Sequence, residues 1–192
     1  MQYKDAQISD RNEIMALKPT IYKANLNLVD MNQDLYCSEK LTIALHPSET
    51  ETRMMVRIVA FALNYDTDLS FTKGLSTADE PDLWVVRPDG SIPCWIEVGQ
   101  ASADRLRKGV SRADKVKLYA YGSEVDVWWP KHASDLNALP KTEIFAFDAN
   151  EAEQLPQLCE RNMELTVTIS EDHIFVTSDK GQVELKLTTL SS

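Results

Sequence analysis

Asp82 and Glu97 are the two side chains best placed to do chemistry together. They lie in Glu80-Pro81-Asp82-Leu83-Trp84 and Trp95-Ile96-Glu97-Val98-Gly99-Gln100, on either side of Pro88-Asp89-Gly90. Val-, Trp- and Ile-rich runs flanking such a turn signal read as a β-hairpin. With Asp89-Gly90 as a two-residue loop, Asp82 faces Glu97 across the ladder and Trp84 faces Trp95. Like charges placed directly opposite each other are destabilising, so the pair calls for a compensating partner, and a shared cation is the simplest. Two other readings stay open. Water can solvate both carboxylates at the open end of the hairpin, or a bulged three-residue loop can shift the register by one and turn one carboxylate to the other face.

The elements around the hairpin must position this pair. Ser48 followed by Glu51 fits a capping box, and Met54, Met55, Ile58, Val59, Ala62 and Leu63 then recur at helical spacing. Glu49, Arg53 and Arg57 share one stripe at i, i+4, i+8, which by itself reads as a surface ion-pair ladder. Beyond the hairpin, Ser102 or Asp104 caps a helix running to about Arg112, with Leu106, Val110 and Ala113 on its apolar face. Arg105, Lys108 and Arg112 fall together on another face, either as a solvated charged surface or as a stripe facing phosphate.

The rest reads as scaffold. Residues 1–14 form a polar extension ahead of one domain, 15–192. Residues 20–29 and 35–45 make an N-terminal hairpin turning at Asp30–Asp34. Lys115 to Tyr121 is a strand, and Val125 to Leu139 a helix in which Pro130 is a fault and Trp128-Trp129 is core. Thr142 to Phe147 is a strand and Glu151 to Glu160 a short helix. Met163–Ile169, His173–Thr177 and Val183–Leu187 form a β-meander expected to cover one side of the domain.

The 192 residues suffice for one sizeable core, and the composition is that of an ordinary globular protein, 43% apolar and 26% charged. No apolar run is long enough to span a membrane. Cys37, Cys94 and Cys159 are few and widely spaced, which suits reduced thiols and a cytoplasmic location. The three histidines are scattered and argue against zinc. A net charge of −10 opposes a broad nucleic-acid footprint. The charge is uneven, however: residues 143–192 carry 10 acidic and 3 basic side chains, so the last quarter supplies most of it. Residues 105–117 hold six basic side chains against Asp114 alone.

Several separate motifs resemble the bacterial YaeQ family: His46-Pro47-Ser48-Glu49-Thr50, Arg53-Met54, Phe71-Thr72-Lys73-Gly74-Leu75-Ser76, the two hairpin motifs above, Tyr121-Gly122 and Trp128-Trp129. The order helix–strand–strand(Pro-Asp)–turn–strand(Glu)–helix–strand is similar to the PD-(D/E)XK nucleases. The resemblance implies an α/β (α+β) fold with a restriction-endonuclease-like core: a central mixed β-sheet flanked by helices, with the N-terminal hairpin and C-terminal meander added. It implies a Mg²⁺- or Mn²⁺-dependent nuclease in which Asp82 and Glu97 hold the metal with the Val98 carbonyl, since Mg²⁺ takes oxygen ligands and keeps several waters. Glu49 matches the acidic residue that many members place near the metal. The motif lysine is missing, Gly99-Gln100 standing in its place, so Gln100 and then Lys108 are the candidate replacements. Arg53, Arg105, Lys108 and Arg112 are the implied nucleic-acid contacts, to DNA or RNA. The lost lysine leaves an alternative, a catalytically inactive nuclease-like domain that binds nucleic acid or a protein partner, and a third reading has Asp82 and Glu97 making only structural hydrogen bonds to nearby donors such as Arg53.

Overall fold

The computed structural model describes residues 18–73 and 79–191. The polar extension 1–14 and the Gly74–Ser76 part of one family motif lie outside them. The element order is β1 (Thr20–Asp30), β2 (Leu35–Leu45), α1 (Glu51–Leu63), β3 (Leu69–Phe71), β4 (Leu83–Val85), β5 (Cys94–Val98), α2 (Ala103–Arg112), β6 (Lys115–Ala120), α3 (Val125–Asn137), β7 (Thr142–Phe147), α4 (Ala149–Ala152), a 3₁₀ turn (Leu155–Leu158), β8 (Asn162–Ser170), β9 (His173–Ser178) and β10 (Gly181–Ser191). All ten strands join one mixed sheet in the order β2-β1-β8-β9-β10-β7-β6-β5-β4-β3. Strand β1 pairs with β8, β5 with β6 and β6 with β7 in parallel; the remaining pairs are antiparallel.

The meander does not cover one side of the domain. It is the middle of the sheet, with β8 docked on β1 and β10 on β7. One long strand makes the join: Gly181–Lys186 of β10 pairs with β9, and Leu187–Ser191 pairs with β7, with a register irregularity between Thr189 and Ser191.

Helix α1 is buried on all sides from Met54 to Ala62, as expected of a helix that lacks a solvent face. It touches β2, β5 and β8 of the same sheet. Strands β2 and β5 stand seven places apart, which in a flat sheet is roughly 34 Å, whereas a helix is only about 10–12 Å across. The sheet therefore curls around α1, and Met54, Met55, Ile58 and Val59 form one core with Leu26, Leu83, Ile96, Leu165 and Val176. On the other face of β5, Trp95 packs with Leu106 of α2 and with Val116, Leu118 and Ile144 in a second core.

The chemistry-bearing hairpin has the expected register in its strands, Leu83 opposite Ile96 and Trp84 opposite Trp95. Its tip differs. The Arg87 N–H donates to the Ser91 carbonyl at 3.0 Å and the Gly90 N–H to the Arg87 carbonyl at 2.9 Å, with Gly90 at φ +84°, so the loop has three residues. A second irregularity restores the register: one residue of the first strand, Val86, stands against Ile92 and Pro93 of the second. Pro93 suits that place because it has no N–H to contribute. The Trp84 and Trp95 rings meet edge to face at 6.0 Å.

Two helix starts also depart from expectation. Thr50, not Ser48, caps α1, its Oγ1 accepting the Arg53 N–H at 3.2 Å, while the Ser48 hydroxyl pairs with His46 Nδ1. In place of a helix over 151–160 there is α4, capped by Asp148 through the N–H groups of Asn150 and Glu151, and then the 3₁₀ turn containing Pro156. Helix α2 begins at the Ser102 cap as expected.

Helix α2 sits close on the sheet because Gly109 permits it. A Cβ there would lie 2.8 Å from Trp95 Cδ1 and 3.0 Å from Val116 Cγ2. Gly109→Ala is expected to destabilise by about 1–3 kcal/mol through overpacking, against the gain of roughly 0.5–1 kcal/mol that alanine ordinarily brings to a helix. Urea unfolding of the two proteins measures the sign.

Candidate functional site

The site lies where the first turn of α1 meets the C-terminal end of β5. Glu49 immediately precedes the Thr50 cap and is not a helical residue. Its carboxylate accepts the His46 N–H at 3.2 Å, Arg53 Nη1 at 3.0 Å and Arg57 Nη2 at 2.9 Å. The Glu49 and Arg57 side chains are each 2% exposed, so the expected surface ladder is an interior network. Arg57 also donates to the Ala44 carbonyl of β2 at 2.9 Å, tying the far end of the curled sheet to α1.

Arg53 continues the network to the hairpin. Its Nη2 lies 2.8 Å from both Asp82 oxygens and donates to the Val98 carbonyl at 3.1 Å. Asp82, 2% exposed, also accepts the Val98 N–H at 2.8 Å. Burial works to lower the Arg53 pKa, but Asp82 and Glu49 together raise it above the ordinary guanidinium value. Arg53 thus stays charged between Asp82 and the carbonyl that was expected to join it on a metal.

Glu97 is held from the opposite side. Strand alternation puts it on the Trp95 face, beneath α2. Its Oε1 accepts the Trp95 indole N–H at 2.8 Å, and Arg105 Nε lies 2.8 Å away. Burial, and then the charge of Asp82, push its pKa up to about 7 against the opposing pull of Arg105 and the Trp95 hydrogen bond. The two hairpin carboxylates feel each other's field, yet each is claimed by an arginine from a different helix. Glu49, Asp82 and Glu97 are balanced by Arg53, Arg57 and Arg105. Among the described residues, no three His, Cys, Asp or Glu side chains converge as metal ligands. Arg53 occupies the space between both Asp82 oxygens and the Val98 carbonyl, and Glu97 Oε1 already takes two donors, so this arrangement does not fit a divalent ion shared by those three groups.

The candidate lysine replacements lie elsewhere. Gly99 takes φ +101°, which ends the strand and turns Gln100 out to donate to the Tyr121 carbonyl at 2.6 Å. Lys108 reaches Asp79 at 3.4 Å, Arg112 donates to the Asp79 carbonyl at 2.7 Å, and Arg105 also donates to the Glu80 carbonyl. The basic stripe of α2 therefore holds the chain entering β4. Nothing in the local spacing marks the Trp95 indole or the Val98 N–H as carboxylate partners. The i, i+4, i+8 spacing of Glu49, Arg53 and Arg57 was the visible signal for the network.

These features define a mixed α/β protein with a ten-stranded sheet and, at one end of β5, a desolvated arginine–carboxylate network. The chain belongs to the YaeQ family: the family's sequence pattern, described as YaeQ protein, matches residues 15–187. It is 37% identical to the uncharacterized protein YaeQ of Salmonella typhi and 35% identical to that of Escherichia coli (strain K12), each over 175 residues covering 91% of this chain and 97% of the relative. The crystal structure of YaeQ protein from Pseudomonas syringae is similar, with 43% identity and a TM-score of 0.86, over 91% of this chain and 97% of that one. That of YaeQ from Xanthomonas axonopodis pv. citri gives 35% and 0.87, over 91% and 99%.

Proposed function

We propose that this chain is a restriction-endonuclease-like scaffold of the PD-(D/E)XK type whose metal position has been taken by arginine, so that it binds a partner and does not cut one. The element order α1-β3-β4-β5-α2-β6 supports the superfamily reading, being the order that the motif resemblance implies. One observation carries the loss of activity: Arg53 Nη2 bridges Asp82 and the Val98 carbonyl, at 2.8 and 3.1 Å. The absence of a lysine on the strand after Glu97 points the same way.

The competing reading is a Mg²⁺- or Mn²⁺-dependent nuclease acting on DNA or RNA. It draws on the electrostatic coupling between Asp82 and Glu97, and it requires Arg53 to leave. Metal titration separates the two. An ion at 100 times its Kd stabilises the fold by about 2.7 kcal/mol, which for a chain of this size raises the Tm by roughly 5–10 °C. We expect no such shift in 10 mM Mg²⁺ or Mn²⁺ and no hydrolysis of single- or double-stranded DNA or RNA. Divalent-dependent cleavage that Asp82→Asn and Glu97→Gln each abolish would overturn the proposal.

A further inference from the structure

Next to the network, on the solvent side of Gln100, a cleft of about 270 Å³ is lined by Gln100, Glu124, Val127, Trp128, Lys131 and His132. It lies below the range of about 300–1,000 Å³ that buries a drug-sized ligand, so it suits one base and not a whole dinucleotide. Its floor is aromatic. Trp128 packs against Ala120, Val125 and Ala146, which fixes the ring, and it lies 5.9 Å from His132, four residues on along α3. Val127 at the rim is 51% exposed.

Some of the polar capacity of the cleft is unspent. Gln100 donates its amide N–H to the Tyr121 carbonyl, and its Oε1 remains available as an acceptor. Glu124 caps α3 without a side-chain hydrogen bond. Among the described residues neither the Glu124 carboxylate nor Lys131 Nζ has an ion-pair partner, in contrast to the arginines of the network. The cleft thus presents a tryptophan ring, two acceptors in Glu124 and Gln100 Oε1, and, about one helical turn beyond Trp128, a cation.

We infer that this cleft binds one amino-bearing nucleobase, stacked on Trp128 with its donor edge on Glu124 and Gln100 Oε1 and its phosphate toward Lys131. Base–aromatic stacking tolerates every base, so the acceptors set the preference. Guanine suits them best, because it offers N1–H and N2–H₂ side by side to a carboxylate, whereas uracil offers one N–H between two carbonyls. The negative charge of Glu124 in the same cleft repels the phosphate, which keeps affinity modest and favours recognition of the base over the backbone. The net charge of −10 agrees with a partner read by stacking and base edges and not by a broad phosphate footprint.

The inference rests on the proposal that the chain is a binder, and its test is run in EDTA so that cleavage cannot enter. GMP, UMP and two short single-stranded RNAs, one carrying guanines and one only uracils, are titrated into the full chain at low salt. Tryptophan fluorescence and amide chemical shifts report binding. GMP is expected to bind at least about tenfold more tightly than UMP, in keeping with hydrogen bonds to a charged acceptor. Glu124→Gln and Lys131→Glu, both at exposed positions, are each expected to weaken GMP binding about tenfold, and Trp128→Phe to keep the fold while reducing the fluorescence change. Tight binding of the guanine RNA alongside GMP identifies the source as an unpaired base in a strand; GMP alone identifies a free nucleotide. No response to GMP or either RNA at millimolar concentration, equal response to GMP and UMP, or responses unchanged in Glu124→Gln and Lys131→Glu would overturn it. Cleavage seen separately in Mn²⁺ would overturn the non-cutting proposal and leave this test standing.

Discussion

Replacing Arg53 with alanine is expected to cost about 3–5 kcal/mol, the penalty for leaving one partner of a buried ion pair without the other. Asp82 is 2% exposed, and after the substitution only the Val98 N–H would remain on it. Glu49 keeps Arg57 and the His46 N–H, so the loss falls on the hairpin end of the network. Arg53→Lys retains the charge but not the fork that reaches Glu49, Asp82 and the Val98 carbonyl at once, and its cost should fall between zero and that of alanine. Arg53→Ala also tests why Arg53 is there. With the guanidinium gone, the Asp82 carboxylate and the Val98 carbonyl present oxygen ligands to an emptied position. Mn²⁺ is therefore expected to raise the Tm of Arg53→Ala while leaving the wild-type Tm unmoved. A loss below about 1 kcal/mol would place Arg53 among ordinary surface ion pairs. A wild-type response to Mn²⁺ equal to that of the variant would show that arginine does not block the ion.

The sequence made local order legible and left long-range placement hidden, for physical reasons. Hairpin register is a short-range property, set by Pro88-Asp89-Gly90 and the alternation of Trp84 and Trp95, and it was readable even though the loop proved to be three residues with a compensating irregularity at Pro93. The Ser102 cap and the apolar face of α2 are equally local. The position of the meander is not. The β1–β8 pairing joins Lys23 to Asn162 in parallel, and nothing in either strand's alternation distinguishes a central strand from one on the flank. The burial of Glu49 and Arg57 is hidden for the same reason, whereas Arg53 as a hydrogen-bond donor to Asp82 is legible in the sequence. A charged stripe on a helix looks solvated until the sheet that curls over it is known. The cap differs for a narrower reason: Ser48 and Thr50 are both capping residues two positions apart, and Ser48 is occupied by His46.

The pH dependence of stability is the other large effect, and it should isolate Glu97. Its pKa in the folded chain is about 7 against an ordinary 4.5, raised by burial and by Asp82 from β4, with Arg105 of α2 and the Trp95 indole opposing. Between those values the folded state holds a proton that the unfolded state has released, so stability falls as pH rises from about 4.5 through 7. Below that window the group contributes no penalty. Above it the full penalty applies, up to about 3 kcal/mol for a shift of this size. Carboxylates such as Asp66, whose pKa is lowered first by its hydrogen bond from Arg87, run the opposite way and lose stability in acid. The raw profile therefore mixes signs. Glu97→Gln removes only the Glu97 component, because a carboxamide resembles the protonated acid and still accepts from Trp95 and Arg105. The stability of the variant relative to wild type is expected to rise by about 2–3 kcal/mol between pH 5 and pH 8, read by urea unfolding at each pH. A difference that stays flat across this range would mean that Glu97 ionises as an ordinary surface carboxylate. A difference that falls would mean that Arg105 stabilises the carboxylate by more than burial and Asp82 disfavour it.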